Sequence, residues 1–332
     1  MSNALAERAH ALGALPAEAW SLIDRAALEG RTLFLTGGTG FVGRWLLAAI
    51  AHLNTTATRP LRVRALTRGV PPFDAPWLTW VAGDVRDFTD VAPAELLVHA
   101  ALPSTATPAG GEQALRETAR SGMERVLEHA TRAGVVRSMV LSSGAVYGAV
   151  KGSMVESAPL GALAPGDAYA EAKREVEALA LAETRAGHDM LIVRLFTCIG
   201  EGYRAHGHLA HVALIAEARA GLPLTLRGDG TAVRSYLAGE DLGLWLLVLL
   251  SREGNDIVNV GSDRAMSVRE FAELVAVRAG LGADAVRLGD APAGPRAHFV
   301  PDLTHARARY GLAPWTPVER VIDRLLRTTA VA

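Results

Sequence analysis

The junction "TLFLTGGTGFVGRWLLAAI" (32–50) constrains this chain more than any other stretch. An apolar strand-like run ends at Gly37, glycines recur at Gly40 and Gly43, and an apolar helix-like run follows at once. A strand turning this sharply into a helix presents free N–H groups and the positive end of the helix dipole. Residues without side chains then let a pyrophosphate approach that backbone. In a chain with 33 glycines the G-x-x-G-x-x-G spacing carries little weight by itself. Its strand and helix flanks separate a dinucleotide-binding loop from a simple tight turn.

The same alternation continues. Strand-like runs "RVRALTR" (62–68), "WLTWVAGD" (77–84), "ELLVHAA" (95–101), "SMVLSSG" (138–144) and "MLIVRLF" (190–196) interleave with helix-length segments near 41–53, 112–133 and 168–187. Their hydrophobicity is continuous rather than alternating, which predicts strands covered on both faces. The β-α alternation predicts a parallel, doubly wound, Rossmann-type α/β sheet. After about residue 196 the pattern loosens into a helix near 209–220, the short segments "LTLRGDG" and "IVNVGS", and a mainly helical C-terminal part with Ser267 and Thr304 as N-caps. The expected organisation is an N-terminal helical extension (1–29), a dinucleotide-binding domain (30–196, with 237–262 returning to it) and a smaller substrate lobe (197–236 and 263–332).

Composition narrows the function classes. A formal charge of −1 carries no bias toward nucleic acid or acidic lipid, so an anionic ligand has to be held locally. The single cysteine, Cys198, excludes an intrachain disulfide and a multi-cysteine metal site, and reads as a buried structural thiol in a reducing compartment. The first thirty residues mix acidic and basic side chains and lack the apolar core of a secretion signal. They read as one or two short amphipathic helices with no assigned role. The longest apolar run, "LGLWLLVLL" (242–250), falls short of the roughly 18 to 20 residues that cross a bilayer. It is expected to be a buried helix, and the protein to be cytoplasmic.

Two further strand ends bear on the cofactor. The second strand closes on Thr67 and Arg68. An Asp there would accept from a ribose 2′-hydroxyl and select NAD, whereas a hydroxyl and a guanidinium suit the 2′-phosphate of NADP. NADP(H) is therefore the favoured cofactor, with NAD(H) as the alternative. Asp84, after the third strand, is a candidate acceptor for the adenine amino group.

The segment "DAYAEAKREVE" (167–177) places Tyr169 and Lys173 four residues apart, on one helical face. The chain has only two lysines, Lys151 and Lys173. A tyrosine is a poor base at pH 7. An adjacent ammonium and a nicotinamide cation are expected to lower its pKa, so that the pair can move a proton to or from a carbinol oxygen. Arginine, with its planar fork, lacks the compact head this geometry needs. The strand 138–142 ends in Ser142 and Ser143, where an α/β sheet presents its ligands, and Ser143 is the candidate hydroxyl that polarises the substrate oxygen.

In this order and spacing, "TGGTGFVG", "GDVRD", "VHAA", "SSGAVYG", "YAEAK" and "VRLF" resemble the extended short-chain dehydrogenase/reductase superfamily, specifically its NAD-dependent epimerase/dehydratase branch acting on nucleotide sugars. The resemblance runs from about residue 31 to 326, including "RGDGTAVRSYLAGEDL", "VNVGS" and "PRAHFVPDLTHARARYGLAPWTPVERVID". It implies that Ser143, Tyr169 and Lys173 are catalytic. The cofactor would be lined by Gly37, Thr39, Gly40, Phe41, Val42, Gly43, Thr67, Arg68, Asp84, Val85, Ala100, Ala101 and Phe196 as well as Tyr169 and Lys173. Ser143, Gly144 and Thr197 would face the nucleotide-diphosphate sugar. Arg234 would hold the diphosphate, with Arg296 as a second candidate. A homodimer through the helices around 112–133 and 168–187 is also implied.

Departures from the family pattern shape the expected reaction. Members that eliminate water carry an Asp-Glu pair directly after the catalytic hydroxyl, and here those places hold Gly144 and Ala145, which move no proton. Ala119 and Thr197 stand where asparagines are usual, so the sugar stays open. The expected activity is keto-sugar reduction, with a 4-epimerase keeping its NAD tightly bound as the alternative. A non-catalytic dinucleotide sensor, the remaining class, does not require a serine, tyrosine and lysine together. The cluster His206, His208 and His211 is read as a partly solvated loop over the substrate pocket rather than a metal site.

Overall fold

The computed structural model describes residues 3–102, 111–150, 153–203, 209–290 and 298–327. Six strands alternate with helices in the first part of the chain: β1 (Thr32–Thr36), β2 (Arg62–Thr67), β3 (Leu78–Ala82), β4 (Leu96–His99), β5 (Arg137–Ser143) and β6 (Asp189–Leu195). Helices α1 (Asn3–Gly13) and α2 (Ala17–Trp20) precede them. Between them lie α3 (Phe41–Asn54), α4 (Gly111–Ala133) and α5 (Ala168–Arg185).

The later part contributes short strands β7 (Cys198–Ile199), β8 (Leu224–Thr225), β9 (Val233–Arg234) and β10 (Leu237–Ala238), then the longer β11 (Asp256–Val260), and finally β12 (Met266–Ser267), β13 (Val286–Arg287) and β14 (His298–Phe299). Its helices are α6 (Ala210–Arg219), α7 (Gly239–Leu250), α8 (Val268–Arg278), α9 (Thr304–Tyr310) and α10 (Val318–Arg327).

Seven strands form one parallel sheet in the order β3-β2-β1-β4-β5-β6-β11, so the strand order reverses between β1 and β4. In such a sheet the ligand crevice opens beyond the carboxyl ends of the strands at that reversal. The middle strands are buried along almost their whole length, as their unbroken apolar runs require. Edge strand β3 is only half-buried, because no further strand covers it.

One layer of helices packs Leu46, Leu47 and Ile50 of α3 with the wholly buried α7. A helix apolar on every side has to be enclosed, and α7 lies against both α3 and α1. The N-terminal extension thus covers the helix layer, with Leu5 and Leu12 of α1 in the main core. On the opposite face α4 and α5 pack together against β5 and β6 through Leu115, Met123, Val140 and Val176. A second core, built on Leu214, Tyr236, Phe271 and Ile322, holds the later helices α6, α8 and α10 together.

Ser267 caps α8 in a full capping box with Glu270. Thr304 does not cap α9: it is the first helical residue, and its N–H donates at 2.8 Å to Asp302, whose short carboxylate reaches two residues along the chain. Cys198 is buried, its thiol pushed up by desolvation. Among the described residues no helix is long and apolar enough to cross a membrane.

Candidate active site

The glycine loop lies at the strand reversal, between the end of β1 and the start of α3. Gly37 has φ +77°, and a β-carbon there would sit 2.5 Å from the Ala100 carbonyl oxygen. At Gly43 a β-carbon would come within 2.3 Å of the Gly37 oxygen. Only glycine fits either place. Helix α3 starts at Gly40 with no side-chain cap, which leaves its first N–H groups to a ligand. This backbone cradle, which any β-carbon would fill, fits the pyrophosphate of a dinucleotide.

The neighbouring candidates gather at the same edge. Ala100 follows β4, and its N–H donates to both the carbonyl and the hydroxyl of Thr36. Phe41, the first residue of α3, stacks on Tyr203 with ring centroids 3.9 Å apart. The Thr39 carbonyl accepts from Arg44 at 2.9 Å. Val85 is turned into the core against Gly122 of α4.

At the adenosine end Thr67 is buried, and its hydroxyl bonds both the carbonyl and the N–H of Gly69 at 3.2 Å, which closes a turn. Arg68 is exposed and lies 3.6 Å from Asp84. Asp84 in turn accepts from the Arg86 guanidinium at 2.8 and 3.2 Å, which holds its carboxyl below the usual range.

The proton-transfer residues meet between β5 and α5. Asp167 caps α5, its carboxylate accepting from Ala170 N–H at 3.0 Å. This sets Tyr169 and Lys173 on the helix face turned to the sheet. Ser143, at the end of β5, lies beside the Tyr169 phenol and favours its ionised form. The Lys173 ammonium lies 5.8 Å from the Tyr169 ring centre and donates to the Leu141 carbonyl at 2.6 Å.

The expected lowering of the Tyr169 pKa includes the charge of a nicotinamide cation, and the protein groups alone act in the other direction. Burial raises the phenol above its ordinary value, Ser143 opposes this, and Asp167 adds to the rise. Burial also pushes Lys173 down to about 8, against the pull of Glu177. Desolvation disfavours the charged form of both groups, the phenolate of Tyr169 and the ammonium of Lys173.

Beyond Ser143 the chain turns through Gly144–Tyr147, held by Arg174 on α5, which donates to the Val146 carbonyl at 2.9 and 2.7 Å. A β-carbon on Gly144 would sit 2.7 Å from the Phe196 ring and 2.9 Å from that of Phe299. Arg234 on β9 is paired in register with Phe299 on β14, its guanidinium 5.8 Å from that ring centre. Thr197 is half-buried at the start of the short parallel β7–β10 pair. Arg296, His206 and His208 lie outside the described residues. His211 does not belong to a solvated loop: it is buried on α6 among Tyr203, Tyr236 and Phe271, and burial pushes it down to about 4.

Sequence reasoning passed over Glu177, Arg194, Tyr203 and Phe299. Glu177 had a signal, since it continues the four-residue spacing of Tyr169 and Lys173 by one more turn. Phe299 had none, because a pairing between β9 and β14 joins residues 65 positions apart (299 − 234).

Known proteins share this architecture. Over 290 residues the chain is 29% identical to the low-salt glycan biosynthesis protein Agl12 of Haloferax volcanii, an alignment covering 83% of this chain and 91% of the relative. MoeE5 in complex with UDP-glucose and NAD matches with a TM-score of 0.74 at 26% identity, covering 89% of this chain and 97% of that one. The dTDP-glucose 4,6-dehydratase DesIV from Streptomyces venezuelae, with NAD and TYD bound, matches with a TM-score of 0.76 at 26% identity, covering 89% and 96%. Residues 33–261, more than half the chain, match the family named for NAD dependent epimerases and dehydratases. The chain therefore belongs to the NAD dependent epimerase/dehydratase family.

Proposed function

We propose that this protein is an NADP(H)-linked reductase of a keto group on a nucleotide-activated sugar. The observation that carries the reading is the meeting of Ser143, Tyr169 and Lys173 between β5 and α5, beside a position 144 where a β-carbon would collide with Phe196 and Phe299. Reduction needs a proton donor at the carbonyl oxygen, whereas an epimerase begins by removing a proton.

In this mechanism Ser143 donates a hydrogen bond to the substrate oxygen and Tyr169 delivers its proton there. Lys173, anchored by Leu141, keeps positive charge beside the phenolate that results. The glycine loop and the start of α3 hold the dinucleotide, with Arg68 reaching the 2′-phosphate and Arg234 the diphosphate of the sugar nucleotide. The dinucleotide, when bound, supplies the hydride. Elimination of water finds no acid at position 144 or 145, and the packing of Phe196 and Phe299 closes the space for one.

A 4-epimerase with retained NAD is the second reading. The approach of Asp84 to Arg68 favours it, because the carboxylate offsets the charge a 2′-phosphate would meet. The proposal includes a homodimer through α4 and α5, which Arg116–Glu171 and Arg120–Glu175 tie into one unit.

The test is to denature freshly purified protein, identify any released dinucleotide by mass spectrometry, and titrate the emptied site. A site that binds NADPH over NADH and oxidises NADPH with a 4-keto nucleotide sugar supports the reductase. Near-stoichiometric NAD overturns it in favour of the epimerase.

A further inference from the structure

Three successive residues at the end of β5 each meet a different turn of α5. The Leu141 carbonyl accepts from Lys173 at 2.6 Å, the Ser142 hydroxyl donates to Glu177 at 2.5 Å, and Ser143 lies beside Tyr169. Glu177 is almost wholly buried. Its two carboxylate oxygens accept from Arg194 of β6 at 3.0 and 2.8 Å. The Arg194 guanidinium also lies 4.7 Å from the Tyr147 ring centre and donates to the Glu156 carbonyl at 3.3 Å.

A buried ion pair of this kind is a weak source of stability, since two well-packed apolar side chains in its place often hold a fold as well or better. Its location suggests another use. Glu177 lies one turn from Lys173, whose buried ammonium donates to the Leu141 carbonyl. The other titratable or charged groups around Lys173 are Tyr169 on the same helix, His99 on β4 and Arg194 beyond Glu177. Burial pushes His99 down to about 3, so it adds no charge at neutral pH. The α4 side of α5 brings Leu115, Ala119 and Met123 to the buried face, and Arg116 and Arg120 to the outer one, where they pair with Glu171 and Glu175. Glu171 and Glu175 are partly exposed and already paired with arginines, whereas Glu177 is a buried carboxylate whose charge favours the Lys173 ammonium.

We propose that Glu177 is a positioning residue that holds the Lys173 ammonium charged and locks the end of β5, with its two serines, against α5. Its carboxylate opposes the desolvation that pushes Lys173 down. The proposal rests on the reductase reading only for what Lys173 does in turnover, and its test reads Lys173 without substrate or cofactor.

With only two lysines in the chain, a protein carrying 13C-labelled lysine gives two side-chain signals, and Lys151→Arg assigns them. In Glu177→Gln, which keeps the shape and an acceptor for Ser142, the Lys173 midpoint is expected about one pH unit lower than in the unsubstituted protein. An unchanged midpoint overturns the proposal. The double variant Glu177→Gln, Arg194→Met removes both charges and so covers the case in which the single variant does not fold. A midpoint that stays low there supports a direct action of Glu177, and a return to the original value assigns the effect to Arg194 and overturns the proposal. In turnover the alkaline limb of the rate profile should move with the lysine midpoint, which loss of packing alone would not produce.

Discussion

Gly144 lies so close to Phe196 that a β-carbon on it would sit 2.7 Å from the ring, and Phe196 is itself buried against Tyr147 and Phe299. The residue after Ser143 therefore lacks a side chain because the aromatic packing leaves no room for one. Grafting an acid at this place is not a neutral edit. Gly144→Asp is expected to cost about 1 to 3 kcal/mol through overpacking. Gly144→Asp with Ala145→Glu should show no release of water from a nucleotide hexose. Urea unfolding reads the first, and product mass the second. A stable double variant that forms the dehydrated sugar would remove the steric argument.

Tyr169→Phe removes the proton donor and leaves the ring in place. Turnover should fall by about 10² to 10⁴-fold while dinucleotide affinity stays near its original value. Stopped-flow hydride transfer and equilibrium binding separate the two effects. Full activity in this variant would assign the proton to another group and revive a non-catalytic role for the fold.

Arg68 is exposed and Thr67 is tied to Gly69, so the proposed preference for a 2′-phosphate depends on the arginine. Arg68→Ala should reduce discrimination between NADPH and NADH roughly tenfold, equivalent to about 1.4 kcal/mol. Fluorescence titration with both dinucleotides measures it. An unchanged ratio leaves NADP(H) without a recognising residue.

Asp241, wholly buried at the start of α7, accepts from the N–H groups of Trp315 and Thr316 at 3.1 and 2.9 Å and from the Thr316 hydroxyl at 3.2 Å. Burial pushes its carboxyl up to about 7, with Glu240 adding to the rise and Thr316 and Trp315 opposing it. The folded state thus binds this proton more tightly than the unfolded chain. The stabilising contribution is complete below about pH 4 and is lost as pH rises through about 7, at about 1.4 kcal/mol per unit of separation. Asp241→Asn presents the same acceptor and a donor for the Thr316 hydroxyl. It should be more stable than the unsubstituted protein at pH 8 and show a flatter stability profile between pH 4 and 8. Chemical denaturation across that range tests it, and identical pH profiles would refute it.

Removing α1 would expose Leu12 and the faces of α3 and α7 that it covers. A chain lacking residues 1–14 should lose several degrees of thermal stability and bind a hydrophobic dye. An unaltered melting curve would make the extension dispensable to this core.

The sequence by itself determined the features that depend on neighbours along the chain. Strand and helix positions follow from apolar runs of the right length. The glycine loop follows from the need for bare backbone at one turn, and the Tyr169–Lys173 face from a helical repeat. Even the buried α7 was legible, since nine consecutive apolar residues, 242–250, cannot face water at low cost. Tertiary structure alone decided what depends on segments far apart meeting. It closed Gly144 under Phe299, joined Ser142 to Glu177 and Arg194, and turned His211 into an aromatic core. It also set the desolvation that raises the Tyr169 phenol, a contribution that the spacing of Tyr169 and Lys173 does not contain. Spacing shows which charges lie near one another, but desolvation is the sum of everything packed around a group, and that sum exists only once the chain has folded.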